Sequence, residues 1–199
     1  MNKEVYGYKF TNADMTCGDF KYELGIEYEI KGDIKPCENG FHFCEKFDNC
    51  YIYYNNIKGD KRLFKVAGSG EIILKDGKYI CSKIKFLEEI TDIEGLIREN
   101  QDNVNWYIVS SRQKLSQEFI REFKDKVCWW DVSRWQRLTE NAIREFKDNI
   151  EWSWVSKYQT LSEDFIREFK DRVDWGWISS EQELSEGFIK EFKDRVKED

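Results

Sequence analysis

The second half of the chain repeats one pattern of apolar and polar positions at a fixed interval of 23 residues. In the clearest copy, residues 165–173, the apolar positions have helical spacing: Phe165, Ile166, Phe169 and Val173. Further copies begin at Phe119, Ala142, Phe188 and, more weakly, Leu96. A fixed interval of this length indicates an array of stacked structural repeats.

Each repeat is predicted to hold a short helix followed by a longer one. Ser162 is placed to cap the longer helix of the clearest copy, and we expect that helix to continue to Val173. The short helix is predicted because Trp, Val or Ile, and Gln recur at i, i+3 and i+7. Asn105 or Asp174 is available to cap it.

The tryptophans of the array fall into two sets. One set keeps the 23-residue interval and is expected to pack between repeats: Trp106, Trp129, Trp152 and Trp175. The other set comprises candidate binding residues: Trp130, Trp154 and Trp177, which are expected to lie along a groove, and Trp135 as an exposed binding ring. For Trp135 we favour a second interpretation, in which its ring fills the volume left where Ala142 replaces phenylalanine.

Rows of serine and glutamine also keep the interval: Ser110, Ser133, Ser156 and Ser179, with Gln113, Gln136, Gln159 and Gln182. Such rows resemble catalytic polar groups, but buried polar side chains mostly satisfy other buried polar groups. We therefore expect both rows to form hydrogen bonds between neighbouring repeats.

Residues 1–88 have the alternating pattern of short β-strands separated by turns. Strands are predicted at 5–10, 20–23, 26–30, 34–37, 41–44, 62–67, 71–74 and 79–86, with a short helix at 48–55. The predicted fold class is α+β: a small, mostly antiparallel β domain at 1–88, followed by an α-helical solenoid at 89–199 with one degenerate and four fuller repeat helices. A sheet, a sandwich and a partly open barrel all remain open for the first domain.

Charge divides the two parts and bears on partners. The net charge is −7, and residues 88–199 carry 18 basic and 26 acidic side chains. This balance disfavours direct binding of nucleic acid and favours a protein partner with a basic surface. No apolar run follows residues 1–4 and none is long enough to span a bilayer, so we expect a cytoplasmic protein without membrane contact.

Two resemblances to known families suggest the class of protein to which this chain belongs. The motif Asp14-Met15-Thr16-Cys17, continued by 20–25, 28–29 and Gly40-Phe41-His42-Phe43-Cys44, resembles an uncharacterised domain associated with phage and prophage proteins, over residues 6–87. Residues 91–199 resemble short Trp and Phe-Ile-Arg-Glu-Phe repeats of large DNA virus and phage proteins. The first resemblance implies a phage or mobile-element protein without an established activity, and the second implies macromolecular recognition.

A zinc site is a weaker hypothesis for the β domain. Its ligands would be Cys17, Cys37, His42 and Cys44, because one histidine with three cysteines suits tetrahedral zinc and His42 and Cys44 share a strand face. No Cys-x-x-Cys pair is present, and small buried cysteines are common in β cores. We therefore expect no cofactor, with zinc as the alternative.

The leading functional hypothesis is a non-enzymatic interaction protein of phage or mobile-element type, acting through an acidic surface, with inhibition of a host factor or defence system as one form. The alternative is an ADP-ribosyltransferase-like enzyme that uses NAD or a nucleotide. Residues 40–44 and 49–54 resemble its strand and helix, and Glu71 or Glu88 would be the catalytic glutamate. The usual arginine and Ser-Thr-Ser elements are missing, and His42 is the chain's single histidine.

Overall fold

A computed structural model of the protein describes residues 4–18, 20–36, 38–54 and 60–196. The chain divides into two compact units, Met1–Val104 and Asn105–Asp199. The predicted boundary after residue 88 lies earlier, so residues 89–104 belong by their contacts to the first unit. The class is α+β, as predicted, with an antiparallel sheet followed by regularly spaced helices.

The first unit consists of seven described strands and two described helices. These are β1 (Val5–Asn12), β2 (Thr16–Cys17), β3 (Phe20–Lys21), β4 (Glu27–Glu29), β5 (Phe41–Cys44), α1 (Cys50–Tyr53), β6 (Lys61–Lys75), β7 (Lys78–Ile90) and α2 (Ile93–Glu99). All pairings between these strands are antiparallel. β6 pairs with β1, β1 with β5, β5 with β7, and β7 with β6, so the sheet curls back on itself.

β6 is one long strand where the sequence predicts two separate strands. Residues 62–67 and 71–74 belong to one strand, whose register shifts between Ser69 and Ile72. Gly70 makes this bend possible with a φ of 78°. The turn at Asp76-Gly77 joins β6 to β7, and both residues have positive φ, as in the two-residue turns that are common in hairpins.

The predicted strand at 34–37 is wrong as far as the chain is described. Ile34 is a buried loop residue, Lys35 makes only an isolated bridge to Asn39, and Cys37 lies outside the described residues. The core of the unit is aromatic: Phe43, Phe64 and Phe86 are fully buried. Tyr22 stacks on Phe86 with 4.4 Å between ring centroids, which joins the segment after β3 to β7.

The second unit consists of paired helices, with two helices in each repeat. They are α3 (Trp106–Arg112), α4 (Gln117–Glu122), α5 (Trp129–Trp135), α6 (Glu140–Glu145), α7 (Trp152–Tyr158), α8 (Glu163–Glu168), α9 (Trp175–Glu181) and α10 (Glu186–Glu191). The predicted caps are confirmed: Ser162 accepts a hydrogen bond from the Phe165 amide, and Asn105 and Asp174 cap α3 and α9.

The second helix of each pair is shorter than predicted. α8 ends at Glu168 because Phe169 leaves the helical region, with φ −110° and ψ 26°. A separate turn follows, in which the amides of Arg172 and Val173 both donate to the carbonyl of Phe169. The apolar spacing alone did not reveal this break, since Val173 is buried whether or not the helix continues.

Glutamine side chains connect each repeat to the one before it. Gln159 Oε1 accepts from the Leu138 amide at 3.0 Å, and its Nε2 donates to the carbonyls of Ser133 (3.0 Å) and Gln136 (2.9 Å). Gln136 and Gln182 repeat this arrangement one interval away. Ser110, Ser133 and Ser156 each accept from a backbone amide of the following repeat at 2.9 Å. The expectation that these rows join repeats is therefore confirmed for six of the eight residues, whereas Gln113 Nε2 is buried without a hydrogen-bond partner within the described residues.

We call the tryptophans that keep the interval (Trp106, Trp129, Trp152 and Trp175) the frame tryptophans. They are half-buried rather than interior. The Trp152 ring lies 4.9 Å from that of Phe169, and its Nε1 donates to the Lys147 carbonyl at 3.0 Å. The fully buried core of the unit is formed instead by the first apolar residues of the second helices, such as Phe165 and Ile166, and by Val132 and Val155.

Candidate binding surface on the helical array

A connected row of aromatic and cationic side chains crosses the first helices α5, α7 and α9. We call it the aromatic strip, and its members are Trp130, Arg134, Trp135, Trp154, Lys157, Tyr158 and Trp177. It includes all four tryptophans that the sequence marked as candidate binding residues. The structure therefore brings them together, whereas the chain separates the first from the last by 47 residues.

Arg134 is at the centre of the strip. Its guanidinium carbon lies 5.3 Å from the ring centroid of Trp130, 4.5 Å from Trp135, 4.8 Å from Trp154 and 5.7 Å from Tyr158. The rings also contact one another, because Trp130 meets Trp154 edge to face at 5.2 Å. Four rings around one cation form an aromatic cage of the kind that recognises cations.

The strip continues from α7 to α9 through a second cation. Lys157 Nζ lies 3.5 Å from the ring centroid of Trp177 and 5.4 Å from that of Tyr158. Tyr158 in turn stacks on Trp154 at 5.6 Å. Rings and cations therefore alternate across three repeats, and each cation is held at an aromatic face.

Three rings of the strip are open to solvent. Trp130 is 41% exposed, Tyr158 44% and Trp135 54%. At this exposure Trp135 does not fill the volume beside Ala142, so the favoured interpretation of that ring is wrong. Ala142 is buried without it. The ring of Trp135 contacts the Arg134 guanidinium instead, at the surface.

Sequence reasoning missed Arg134, Lys157 and Tyr158. The signal lay in the variable positions of the repeat. Five residues after each frame tryptophan the chain has Ser111, Arg134, Lys157 and Ser180, and six residues after it Arg112, Trp135, Tyr158 and Glu181. Because the packing of the repeat tolerates serine or glutamate there, the aromatic and cationic residues of the middle repeats are not required by the fold.

A buried carboxylate lies one helical turn before Arg134. Asp131 is fully buried, and within the described residues neither of its oxygens has an N–H or O–H donor. The nearby Cys128 thiol has a raised pKa, chiefly because of burial and then because of a hydrogen bond to the Asp131 carboxylate, and a thiol is only a weak donor. Nε of Arg134 is likewise buried without an acceptor. An uncompensated buried carboxylate is costly, so a cation paired with Asp131 would stabilise this part of the array.

The arginines of the second helices pair with glutamates of the second helix in the next repeat. Arginines and glutamates form ion pairs from one repeat to the next: Arg121 with Glu145, Arg144 with Glu168, and Arg167 with Glu191. These pairs are exposed and contribute little to stability. They do not neutralise the second helices, which carry nine carboxylates and four basic side chains, so these helices stay acidic.

The first unit holds a buried lysine that sequence reasoning also missed. Lys9 on β1 is 3% exposed, and its Nζ donates to the His42 carbonyl at 2.7 Å and to Tyr54 Oη at 3.1 Å. Burial lowers the pKa of Lys9, and the nearby thiols of Cys17, Cys50 and Cys44 act in the opposite direction. The alternation of β1 places this side chain inward, a position at which the sequence pattern would favour an apolar residue.

The candidate zinc ligands are only partly placed. His42 and Cys44 lie on β5, and burial, with Lys78 and Lys9, lowers the pKa of His42. The thiol of Cys44 contacts Cys50 instead, a residue outside the predicted set. Cys17 lies near Lys9, and Cys37 lies outside the described residues. The part of the chain that is described contains no group of three or more His, Cys, Asp or Glu able to hold a metal ion.

The carboxylates considered for a transferase lie on the β6–β7 hairpin. Glu71 is exposed at the bend of β6, where its amide donates to Ser82 Oγ, and Glu88 forms an ion pair with Lys65 at 3.5 Å. The enzyme hypothesis stays a prediction. Its direct check is thermal unfolding with NAD, nucleotides or zinc, followed by the same assay on His42→Ala.

Comparison with known proteins finds a match in the first unit. The profile of a family described as a domain of unknown function, DUF7666, matches residues 5–99. The N-terminal part is therefore an uncharacterised domain of unknown function. No curated protein and no solved structure matches the chain. Within the described residues, no helix has the length and apolar character needed to cross a membrane.

Proposed function

We propose that the helical array binds a protein partner through the aromatic strip. The observation that carries this proposal is the row of rings and cations across three successive repeats, with Trp130, Trp135 and Tyr158 open to solvent. Tryptophan, tyrosine and arginine are the residue types that contribute most binding energy at protein interfaces. The fold does not require arginine or an aromatic residue on this part of the first helices. The outer repeats have Ser111 and Ser180 at the position of Arg134, and the last repeat has Glu181 at the position of Trp135.

Charge favours a partner with a basic surface. The chain has a net charge of −7, and the array, residues 105–199, has 17 basic and 20 acidic side chains. Such a charge speeds encounter with a basic protein and repels the phosphates of nucleic acid. We therefore propose recognition without chemistry, in the cytoplasm and without a membrane. One form is inhibition of a host factor or defence system by a phage or mobile-element protein whose acidic surface takes the place of an anionic substrate.

The test is affinity capture from the native host at low salt, with a strip variant and a matched control. In Trp154→Ile/Trp177→Ile both rings are replaced by the residue that Ile108 supplies at the same repeat position, so packing is preserved. The control variant, Asn141→Ala/Thr160→Ala, changes the same number of residues, both exposed, uncharged and outside the strip. We expect one protein to be captured by the wild type and the control and lost in the strip variant. Failure of the wild type to capture any protein at low salt would contradict the proposal.

A further inference from the structure

The cage around Arg134 is a complete cation site that the chain fills with its own side chain. Four ring centroids lie 4.5 to 5.7 Å from the guanidinium carbon. Three of these rings are exposed, so solvent reaches the outer side of the cage. An internal side chain in such a position competes with any external cation for the same rings.

Asp131 gives the cage a charge preference. Asp131 and Arg134 are three residues apart on α5, a spacing that brings side chains together on one helix surface. Yet within the described residues Arg134 Nε has no acceptor, and the Asp131 oxygens have no N–H or O–H donor, only the weakly donating thiol of Cys128. The Arg134 guanidinium contacts the rings but forms no ion pair with the Asp131 carboxylate. A cation that enters from outside beside Asp131 would compensate a buried charge that Arg134 does not.

Comparison of the repeats shows that neither residue belongs to the common packing. The positions equivalent to Asp131 are Ile108, Trp154 and Trp177, and those equivalent to Arg134 are Ser111, Lys157 and Ser180. Only α5 combines a buried carboxylate with a cation in a ring cage among the described helices. This combination is therefore a local feature added to the repeat.

We propose that this cage binds an arginine side chain of the partner, and that Arg134 is an internal occupant which the incoming arginine displaces. This inference rests on the proposed function, since it assigns the chemistry of the contact that a basic partner makes. Arginine is preferred over other cations because the cage already holds a planar guanidinium. A guanidinium also stacks on aromatic faces and pairs with a carboxylate through two hydrogen bonds.

The test removes the internal occupant and titrates with N-acetyl-arginine methylamide at low salt, followed by tryptophan fluorescence and calorimetry. Arg134→Ser introduces the residue that Ser111 and Ser180 supply at this repeat position. We expect Arg134→Ser to bind the probe about tenfold more tightly than the wild type. The probe binds only while Arg134 is out of the cage, so the apparent affinity of the wild type is reduced to that fraction of the intrinsic affinity. Adding Asp131→Asn or Trp154→Ile to Arg134→Ser should remove that gain.

The matched control is Arg144→Ser, which removes an arginine of α6 that lies outside the strip and pairs with Glu168. It should bind the probe no better than the wild type. If circular dichroism shows that Arg134→Ser does not fold, Arg134→Gln, which keeps the aliphatic stem, replaces it.

Equal probe binding by the wild type and the Arg134 variant would overturn the inference, as would a gain that survives Asp131→Asn. Tighter binding of tetramethylammonium or N-acetyl-lysine methylamide than of the arginine probe would overturn the choice of arginine. If probe binding fails while partner capture still depends on Trp154 and Trp177, the cage assignment is wrong and the proposed function stands. If the cage binds the probe but no partner is captured, the proposed function is wrong.

Discussion

The two units differ in how far apart along the chain their contacting residues lie. In the sheet, the aromatic core joins Tyr22 to Phe86 and Phe64 to Phe86, separations that follow no rule in the sequence. In the array, the glutamine hydrogen bonds span 21, 23 and 26 residues and the main ion pairs span 24. A repeated sequence therefore predicts the spacing of its own contacts, whereas a sheet depends on pairings that only the folded chain reveals.

The largest effect should come from the sheet core. Phe86→Ala removes a fully buried ring that contacts both Tyr22 and Phe64. We expect it to lower the free energy of unfolding of the first unit by about 3–5 kcal/mol, because a large buried ring is lost and a cavity remains. Urea unfolding followed by circular dichroism measures this. Leu87→Ala, one residue later and 38% exposed, is the control and should cost far less.

The array should be most sensitive at its glutamines. Gln159→Leu removes the partners of one buried amide and two carbonyls without leaving a large void. We expect a loss of about 2–4 kcal/mol in the free energy of unfolding of the array, since buried groups left unsatisfied are costly. Gln182→Leu makes the same change at a half-buried position, and it should cost less because water reaches the freed groups.

An equal cost at both positions would show that burial does not set the effect. The measurement is the denaturant midpoint of each variant at constant m-value.

The features of the fold that the sequence predicted are those that depend on residues a few positions apart. Ser162, Asn105 and Asp174 were recognised as caps because capping depends on residues two or three positions away. The break at Phe169 was not predicted, because the residues after it remain apolar at helical spacing. In the sheet, the bend at Gly70 is imposed by closure of β6 and β7 on β1 and β5, which no local pattern encodes.

Some residues of the candidate site could be selected from the sequence and others could not. Trp130, Trp135, Trp154 and Trp177 could be selected from the sequence because they depart from the repeat or accompany a frame tryptophan. Arg134 and Asp131 could not, because charged residues on a short helix are usually solvated. Only the packed structure shows that one is held among four rings and the other is buried.

The smallest effect should come from the ion pairs between repeats. Arg121 donates two hydrogen bonds of 2.7 Å to Glu145, and this pairing lowers the pKa of Glu145. A carboxyl whose folded-state pKa is lowered stabilises the fold above its unfolded pKa of about 4.3, and this stabilisation is lost as pH falls through the folded pKa. Glu145→Gln should therefore lose slightly less stability than the wild type between pH 5 and pH 3.

The difference in Glu145→Gln should be small, because exposed pairs are screened by solvent and salt. Denaturant midpoints at pH 5 and pH 3, in low and high salt, measure it. A pH response identical to that of the wild type at low salt would show that the pair does not form in solution.

The central claim is that the tryptophans of the array have two roles, with the frame tryptophans supporting the fold and the aromatic strip binding the partner. The most direct test is the dissociation constant of the captured, purified partner for the wild type and for Trp154→Ile/Trp177→Ile. We predict a loss of affinity of at least about 30-fold, as expected for interface residues that carry most of the binding energy, with little change in thermal unfolding. An unchanged dissociation constant in a folded variant would contradict the account.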